Sequence, residues 1–282
     1  MPLPDPCAAP RAVPAVLAVL AAVVAALALT AGCGTGDRPS AAPRVVPPEA
    51  GASFDYQIGG GYPPPKGVRV VSRDRADRPA PGVYSVCYVN AFQAQPGELS
   101  RWRARNPGLL LRDGDGGLVM DDEWDEALLD TSTAAGRTAL AEIVGAWIDD
   151  CARRGFQAVE PDNLDSFERS DGLLTAADNA AFARLLAARA HAAGLAVAQK
   201  NTAELLPRRA AIGFDFAVAE ECGAYDECGR YASAYDGRVL VVTYDAADFT
   251  ATCRRWGARL AVVLRDRDVA PAREPGHVFR TC

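Results

Sequence analysis

Histidine and closely paired cysteines are scarce in this chain of 282 residues. It has two histidines, His191 and His277, and no two cysteines separated by two residues. Structural zinc sites draw their ligands from such clusters, so we expect no metal, and nothing in the sequence indicates another cofactor. No GxGxxG or GxxxxGK[ST] motif follows a predicted strand. This absence removes the main reason to predict a nucleotide-binding sheet.

Positive charge is also in short supply. Lys and Arg number 30 against 36 Asp and Glu, which gives a net charge of −6. An acidic protein is a poor candidate for binding nucleic acid or an anionic membrane surface. The charge suits a neutral or cationic substrate, although it could serve solubility alone.

One long hydrophobic run, residues 16–29, follows Arg11 and precedes the small residues before Cys33. It is short for a transmembrane helix and is typical of a secretory signal peptide. We therefore predict a signal peptide over residues 1–32, with Cys33 lipidated as an anchor to the cell membrane. Ordinary cleavage and free secretion are the alternative. Residues 33–50 are rich in Gly, Pro and Ala and predict a flexible tether, which leaves residues 51–282 as one domain.

Six cysteines remain beyond these segments, and an even number in an exported protein predicts disulfides. Six cysteines allow fifteen pairings, so the sequence does not decide among them. Cys222 and Cys228 are close enough to close a small loop. A bond from Cys253 to Cys282 would hold the C-terminus and leave Cys87 with Cys151.

Short apolar runs alternate with amphipathic or Ala-rich stretches along the chain. Predicted strands cover residues 83–89, 156–159, 195–198, 214–219, 239–243 and 260–264, and predicted helices cover 138–153, 175–193, 203–211, 225–235 and 247–256. Alternating strands and helices indicate parallel β-α units. This number of units favours an α/β fold of the (β/α)8 TIM-barrel type over an open sheet.

Polar residues concentrate just beyond the predicted strands. The segment AVEPDNLDSF places Glu160, Asp162 and Asp165 after one strand, and Glu220 follows another. In a β/α barrel these strand ends form the active-site mouth, so we expect the carboxylates to lie there rather than buried in the wall. Two carboxylates from different strands can cleave a glycosidic bond. Alternatively, strand-end acids cap helices or pair with arginine.

Five stretches resemble glycoside hydrolase family 114, the endo-α-1,4-polygalactosaminidases. Residues 155–165 (GFQAVEPDNLD) are similar to its G-F-x-G-V-x-P-D-N-x-D block, and residues 190–201 (AHAAGLAVAQKN) to its A-H-x-x-G-L-x-x-x-x-K-N block. Residues 214–228 resemble F-D-x-x-x-x-E-x-C-x-x-Y-x-x-C. Residues 86–88 (VCY) match an early strand, and residues 124–130 resemble a W-x-x-x-x-L-D segment.

The resemblance, over about residues 54–244, implies an exported endo-acting hydrolase of α-1,4-linked galactosamine polymers. It implies that Asp162 is the nucleophile or base and Glu220 the general acid. The sugar site would be lined by Tyr88, Asn163, Asp165, Lys200, Asn201, Glu221 and Tyr244. The expected partner is a polysaccharide, with no nucleic acid, contact with the membrane only through the lipid anchor, and a monomeric protein.

The chain departs from the family pattern at Ala219, where Asn is frequent, at Glu221, where Gln is common, and over residues 56–75. Glycines in that last segment could allow close approach to a ligand or form a surface loop. A carbohydrate-binding lipoprotein without turnover is therefore the alternative function. A deacetylase or peptidase is less favoured, because His191 lies in a predicted helix. Catalysis requires that Asp162 and Glu220 face one cleft within ~10 Å.

Overall fold

The computed structural model describes residues 44–282. The predicted signal peptide and Cys33 lie outside these residues, as does most of the predicted tether. Within residues 44–282, no helix is both long and apolar enough to cross a membrane. Residues 44–50 lie against the folded domain, where the Tyr84 hydroxyl donates a hydrogen bond to the Val46 carbonyl at 2.7 Å.

The main sheet has nine strands and forms a nearly closed barrel, as predicted. Eight of them run parallel in chain order, and the ninth pairs antiparallel with the eighth at the edge. The strands are β1 (Phe54–Gln57), β2 (Val70–Asp74), β3 (Tyr84–Asn90), β7 (Ala158–Asp162), β8 (Ala196–Lys200), β9 (Phe216–Glu220), β10 (Val239–Thr243), β11 (Ala261–Arg265) and β12 (Phe279–Thr281).

The helices follow the strands in the later part of the chain. They are α1 (Pro96–Arg105), α2 (Ala134–Arg154), α3 (Ala176–Ala192), α4 (Arg209–Ile212), α5 (Cys228–Ala234) and α6 (Ala246–Trp256). Thr175 caps α3 through a reciprocal pair of hydrogen bonds with Asp178, which satisfies N–H groups that a helix start leaves free. Gly155 ends α2 with φ of 92°, in the left-handed region that glycine adopts without strain.

Side chains alternate along each barrel strand between the barrel interior and the layer under the helices. In β9, Phe216 and Val218 pack in the interior, whereas Ala217 and Ala219 pack against the helix layer. This period of two sends Glu220 inward. The same alternation turns Glu160 and Asp162 of β7 and Lys200 of β8 toward the barrel interior.

A buried ion pair joins β1 to β11, the first and last parallel strands of the barrel, at the seam between them. Arg265 is fully buried in β11, and its Nη1 atom lies 3.4 Å from Asp55 Oδ1 in β1. The predicted strand over residues 260–264 therefore ended one residue too early. Gly59 also lies near this seam, where an added Cβ would come within 2.6 Å of the Val269 carbonyl oxygen. The glycines after β1 therefore allow close approach of the chain itself.

An insertion between β3 and α2 was not predicted. It holds a small antiparallel sheet of β4 (Gln93–Ala94), β5 (Met120–Asp121) and β6 (Glu126–Leu128), in the order β4-β6-β5. The strands β1 and β2 were also missed, because residues 56–75 show no strand–helix alternation. The insertion matters because its β5–β6 turn reaches the mouth of the barrel.

Three disulfides join Cys87 to Cys151, Cys222 to Cys228 and Cys253 to Cys282. These are the pairs that the sequence analysis named among fifteen possibilities. The first connects β3 to α2, and the third holds the C-terminal residue against α6. Such bonds are typical of proteins in oxidising compartments.

Candidate active site

Four ionisable side chains meet inside the barrel where β7, β8 and β9 end. They are Glu160 and Asp162 on β7, Lys200 on β8 and Glu220 on β9. On each strand these side chains occupy inward-facing positions. The parallel order β7-β8-β9 places the lysine between the carboxylates.

Lys200 is the centre of this cluster, and its side chain is only 2% exposed. Its Nζ lies 3.0 Å from Asp162 Oδ2, 3.3 Å from Glu160 Oε1 and 3.4 Å from Glu220 Oε2. Nζ also donates a hydrogen bond to the Tyr56 hydroxyl at 3.1 Å. One ammonium therefore contacts three carboxyl groups, and their negative charge holds the pKa of Lys200 well above its ordinary value against the effect of burial.

Asp162 is held as a carboxylate. Burial alone would raise the pKa of Asp162, but Lys200, the Asn163 backbone N–H and the Tyr88 hydroxyl together lower it below its ordinary value. The Asn163 N–H donates to Oδ1 at 2.6 Å. Asn163 has a positive φ of 65°, a conformation that Asn tolerates better than most residues. The left-handed backbone thus directs its N–H at the carboxylate.

Glu220 is oriented by two neighbours from other strand ends. Asn201 donates from Nδ2 to Glu220 Oε2 at 3.1 Å, while its own Oδ1 accepts the Glu220 backbone N–H at 2.8 Å. The Tyr244 hydroxyl donates to Glu220 Oε1. Burial, with the nearby Glu220 charge, holds the pKa of Tyr244 well above its ordinary value, so this hydroxyl keeps its proton.

Glu160 corrects one expectation from the sequence. It lies within β7 and is fully buried, not at the mouth. Its carboxylate accepts hydrogen bonds from Tyr56 at 2.9 Å and Ser72 at 2.6 Å, and it pairs with Lys200. Burial raises the pKa of Glu160 to about 7, although Lys200 acts in the opposite direction. The partners come from three other strands, which is why a carboxylate is tolerated there.

An open cleft of about 880 Å³ exposes Asp162 and Glu220. Both carboxylates line it, and an oxygen of each lies within 3.4 Å of the same lysine nitrogen. The condition that both face one cleft within ~10 Å is therefore met. Two exposed aromatic side chains stand at its rim, Trp124 at 53% and Tyr225 at 69% exposure.

The other predicted site residues also line this cleft. Asp165 pairs with Arg169, whose Nη2 lies 2.8 Å from Oδ1, and makes no side-chain hydrogen bond as a helix cap. Glu221 faces Arg267, with Oε2 and Nη2 3.6 Å apart. His191, by contrast, lies on α3 outside the cleft lining, with Nε2 2.8 Å from Asp215 Oδ2.

A second polar cluster on the insertion was missed by the sequence analysis. Glu126 on β6 is buried, and its Oε2 accepts hydrogen bonds from Asn90 at 2.7 Å and from Asn163 at 3.3 Å. Burial raises the pKa of Glu126 to about 7, with Asn90 acting against it. In the sequence, only the position of Glu126 two residues after Trp124 could have indicated that it belongs to the site.

Comparison with known proteins agrees with this architecture. The model of glycoside-hydrolase family GH114 matches residues 35–282. The chain is similar to Ega3 of Aspergillus fumigatus, solved in complex with galactosamine, at 22% identity over 85% of this chain and 98% of that one, with a TM-score of 0.67. It is also similar to the glycoside hydrolase domain of PelA of Pseudomonas aeruginosa, at 14% identity over 80% and 96%, with a TM-score of 0.51.

Those two likenesses show a shared barrel fold, and no curated protein matches the chain. The family model, however, covers the whole described structure and includes both strand ends that carry Asp162 and Glu220. The chain therefore belongs to glycoside hydrolase family GH114.

Proposed function

We propose that this glycoside hydrolase cleaves internal linkages of an α-1,4-linked polysaccharide that contains galactosamine. In this proposal Glu220 protonates the leaving glycosidic oxygen, and Asp162 attacks the anomeric carbon or activates a water molecule. The observation that supports it best is the pairing of these two carboxylates across Lys200 in one open cleft. Glycosidases that use two carboxylates need this arrangement.

The environment favours the ionised form of Asp162 and orients Glu220. Asp162 has to be ionised, and Lys200 with the Asn163 N–H favours its charged form. Tyr244 and Asn201 hold the Glu220 carboxyl toward the cleft. Asp162 Oδ2 and Glu220 Oε2 lie 3.0 and 3.4 Å from one nitrogen, so they are at most about 6.4 Å apart. This favours the retaining spacing of roughly 5–5.5 Å over the inverting one of roughly 6.5–9.5 Å.

The charge of the cleft supports a cationic polymer. Twelve of the side chains that line it are carboxylates, and three are basic. Lys200 is buried beneath the carboxylates, and Arg169 and Arg267 are each paired with an acid. A field of this sign attracts free amino groups of galactosamine. The family membership, with Ega3 solved as its galactosamine complex, is the reason to choose this sugar.

The size and rim of the cleft support endo action. Its volume of about 880 Å³ is near the upper end for ligand pockets, about 300–1,000 Å³, and the cleft is open to solvent. Trp124 and Tyr225 lie on different loops at the rim, where aromatic faces can pack against successive sugars. The three disulfides suit an exported protein, and we propose a monomer anchored through Cys33.

The test is reducing-end release from partly deacetylated α-1,4-galactosaminogalactan. We expect Asp162→Asn and Glu220→Gln each to lower the rate by roughly 100-fold or more, with circular dichroism unchanged. Asp122→Asn removes the same charge from an exposed site on the β5–β6 turn that does not line the cleft and should keep the parent rate. Activity that survives in either active-site variant contradicts the assigned pair. A parent protein that binds the polymer without cleaving it supports a sugar-binding lipoprotein instead.

A further inference from the structure

We propose that Glu126 and Trp124, on the β5–β6 side of the cleft, form a second sugar-binding subsite that selects a free amino group. This inference rests on the proposed function, since it assigns a neighbouring sugar of the same polymer to this place. It is not part of the catalytic pair, and it would take a hexosamine unit whose amine is not acetylated.

The first observation is a missing counter-charge. Four carboxylates are buried in the described part of the chain, at Asp55, Asp121, Glu126 and Glu160. Asp55 pairs with Arg265, Asp121 with Arg169 and Glu160 with Lys200. Glu126 alone among these four has no basic group within 4.0 Å in residues 44–282. A buried carboxylate without a cation is costly, and a ligand ammonium in the cleft would supply one.

The second observation is the orientation of the Glu126 carboxylate. Both of its hydrogen bonds, from the Asn90 and Asn163 amides, go to Oε2. Oε1 accepts none from residues 44–282, and the side chain is part of the cleft lining. Its amide partners fix one oxygen and leave the other for a donor from a ligand.

The third observation is Trp124, two residues before Glu126 in the same turn. Its indole is 53% exposed and lines the same cleft. An exposed indole offers an apolar face to a sugar ring and attracts a cation through its π-system. A carboxylate and an indole together match both features of a protonated hexosamine.

Asn163 connects this subsite to the catalytic pair. Its backbone N–H donates to Asp162 Oδ1, while its side-chain amide contacts Glu126 Oε2. One residue therefore holds both carboxylates on the same wall of the cleft. This places the amine-binding group next to Asp162 in the same cleft and not in a separate site.

An N-acetyl group would bind less well than an amine. The amide carries no charge, so it leaves the Glu126 carboxylate unbalanced. Charge-assisted hydrogen bonds are about twice as strong as neutral ones. Burial raises the pKa of Glu126 to about 7, which agrees with a carboxylate whose charged form needs a ligand cation.

The experiment compares binding of two tetrasaccharides of α-1,4-linked galactosamine, one with free amines and one fully N-acetylated. Calorimetry is done in a Glu220→Gln background, so that neither ligand is consumed. We expect Glu126→Gln to weaken binding of the free-amine ligand roughly 10- to 100-fold and binding of the acetylated ligand less than about threefold. Asp122→Asn, the charge-matched control, should change neither. Trp124→Ala should weaken both.

Glutamine keeps the size of Glu126 and can accept the same two amide hydrogen bonds, and acetylated-ligand binding reports whether the variant is folded. Equal weakening of both ligands by Glu126→Gln, or no weakening of the free-amine ligand, overturns the subsite. Reducing-end release by the protein with Glu220 intact is measured separately. If reducing-end release is absent but Glu126→Gln selectively weakens binding of the free-amine ligand, the hydrolase proposal fails and the subsite stands.

Discussion

Lys200 offers the sharpest test of how this site works. Lys200→Met keeps the length of the side chain and removes the ammonium that lies 3.0–3.4 Å from Asp162, Glu160 and Glu220. We expect the acidic limb of the kcat/KM profile, which reports ionisation of Asp162, to move to higher pH. We also expect the variant to be less stable at neutral pH.

The magnitude follows from the contact distance. At 3.0 Å between Nζ and Asp162 Oδ2, an effective dielectric constant of 20 gives an attraction of about 5.5 kcal/mol. One pKa unit is about 1.36 kcal/mol, so removing the ammonium could move the acidic limb by at most about 4 pH units. Water entering the vacated space screens part of this. We therefore predict that the acidic limb rises by about 2 pH units or more.

The sign of the stability change also follows. In the parent the pKa of Asp162 is lowered from 3.8, so its stabilising contribution is present above pH 3.8 and lost as pH falls through the lowered value. In Lys200→Met burial would raise that pKa, and the contribution becomes a penalty that grows as pH rises above 3.8. Breaking a buried ion pair costs about 3–5 kcal/mol. The loss should therefore be large at pH 7.5 and small near pH 4.

The assay is kcat/KM on galactosaminogalactan between pH 3 and 9, with urea denaturation at pH 4 and 7.5. Lys66→Met makes the same substitution at an exposed site outside the cleft lining and serves as the control. If Lys200→Met fails to fold, adding Glu160→Gln removes one of the uncompensated carboxylates. An acidic limb within about 0.3 unit of the parent's would refute the electrostatic role of Lys200.

Two further predictions concern stability. Burial holds the pKa of Glu160 and of Glu126 at about 7 against an ordinary 4.5, so the folded state keeps protons that the unfolded chain releases. The free energy of unfolding should fall as pH rises from about 4.5 to 7, by up to about 3 kcal/mol for each group. Denaturation midpoints at pH 5 and 8 check this, and Glu160→Gln should flatten the trend; a higher midpoint at pH 8 contradicts it. Replacing Cys87 and Cys151 with Ser opens a loop of 64 residues and should lower stability by about 4 kcal/mol, against about 2 for the six-residue loop of Cys222 and Cys228. Urea denaturation that gives the reverse order would contradict this.

The later two thirds of the fold could be predicted because each strand and helix there carries its own periodic signal. The strand at residues 239–243 was placed at its observed bounds, and the helix at 247–256 began one residue late. The insertion between β3 and α2 and the first two strands have no such alternation. Their positions depend on pairing with distant strands, which local patterns do not report.

Several residues of the candidate site could be predicted from the sequence, but the contacts between them could not. Asp162 and Glu220 were named as strand-end residues, and Tyr244 as part of the sugar site. Glu160 was placed at the mouth because a carboxylate resists burial, and only Lys200, Tyr56 and Ser72 from other strands explain why it is inside. Contacts of this kind join residues 40 to 104 positions apart and leave no trace in a local window.

The two departures from the family pattern beside Glu220 have different consequences. Ala219 packs on the outer side of β9, against the helix layer, so it cannot contact a sugar in the cleft. Glu221 adds a carboxylate to the cleft but has a positive φ of 53° and faces Arg267. Its charge is therefore balanced by a neighbour rather than imposed on Glu220. The first departure changes packing and the second changes the outer cleft, and both leave the pairing of Asp162 and Glu220 across Lys200 intact.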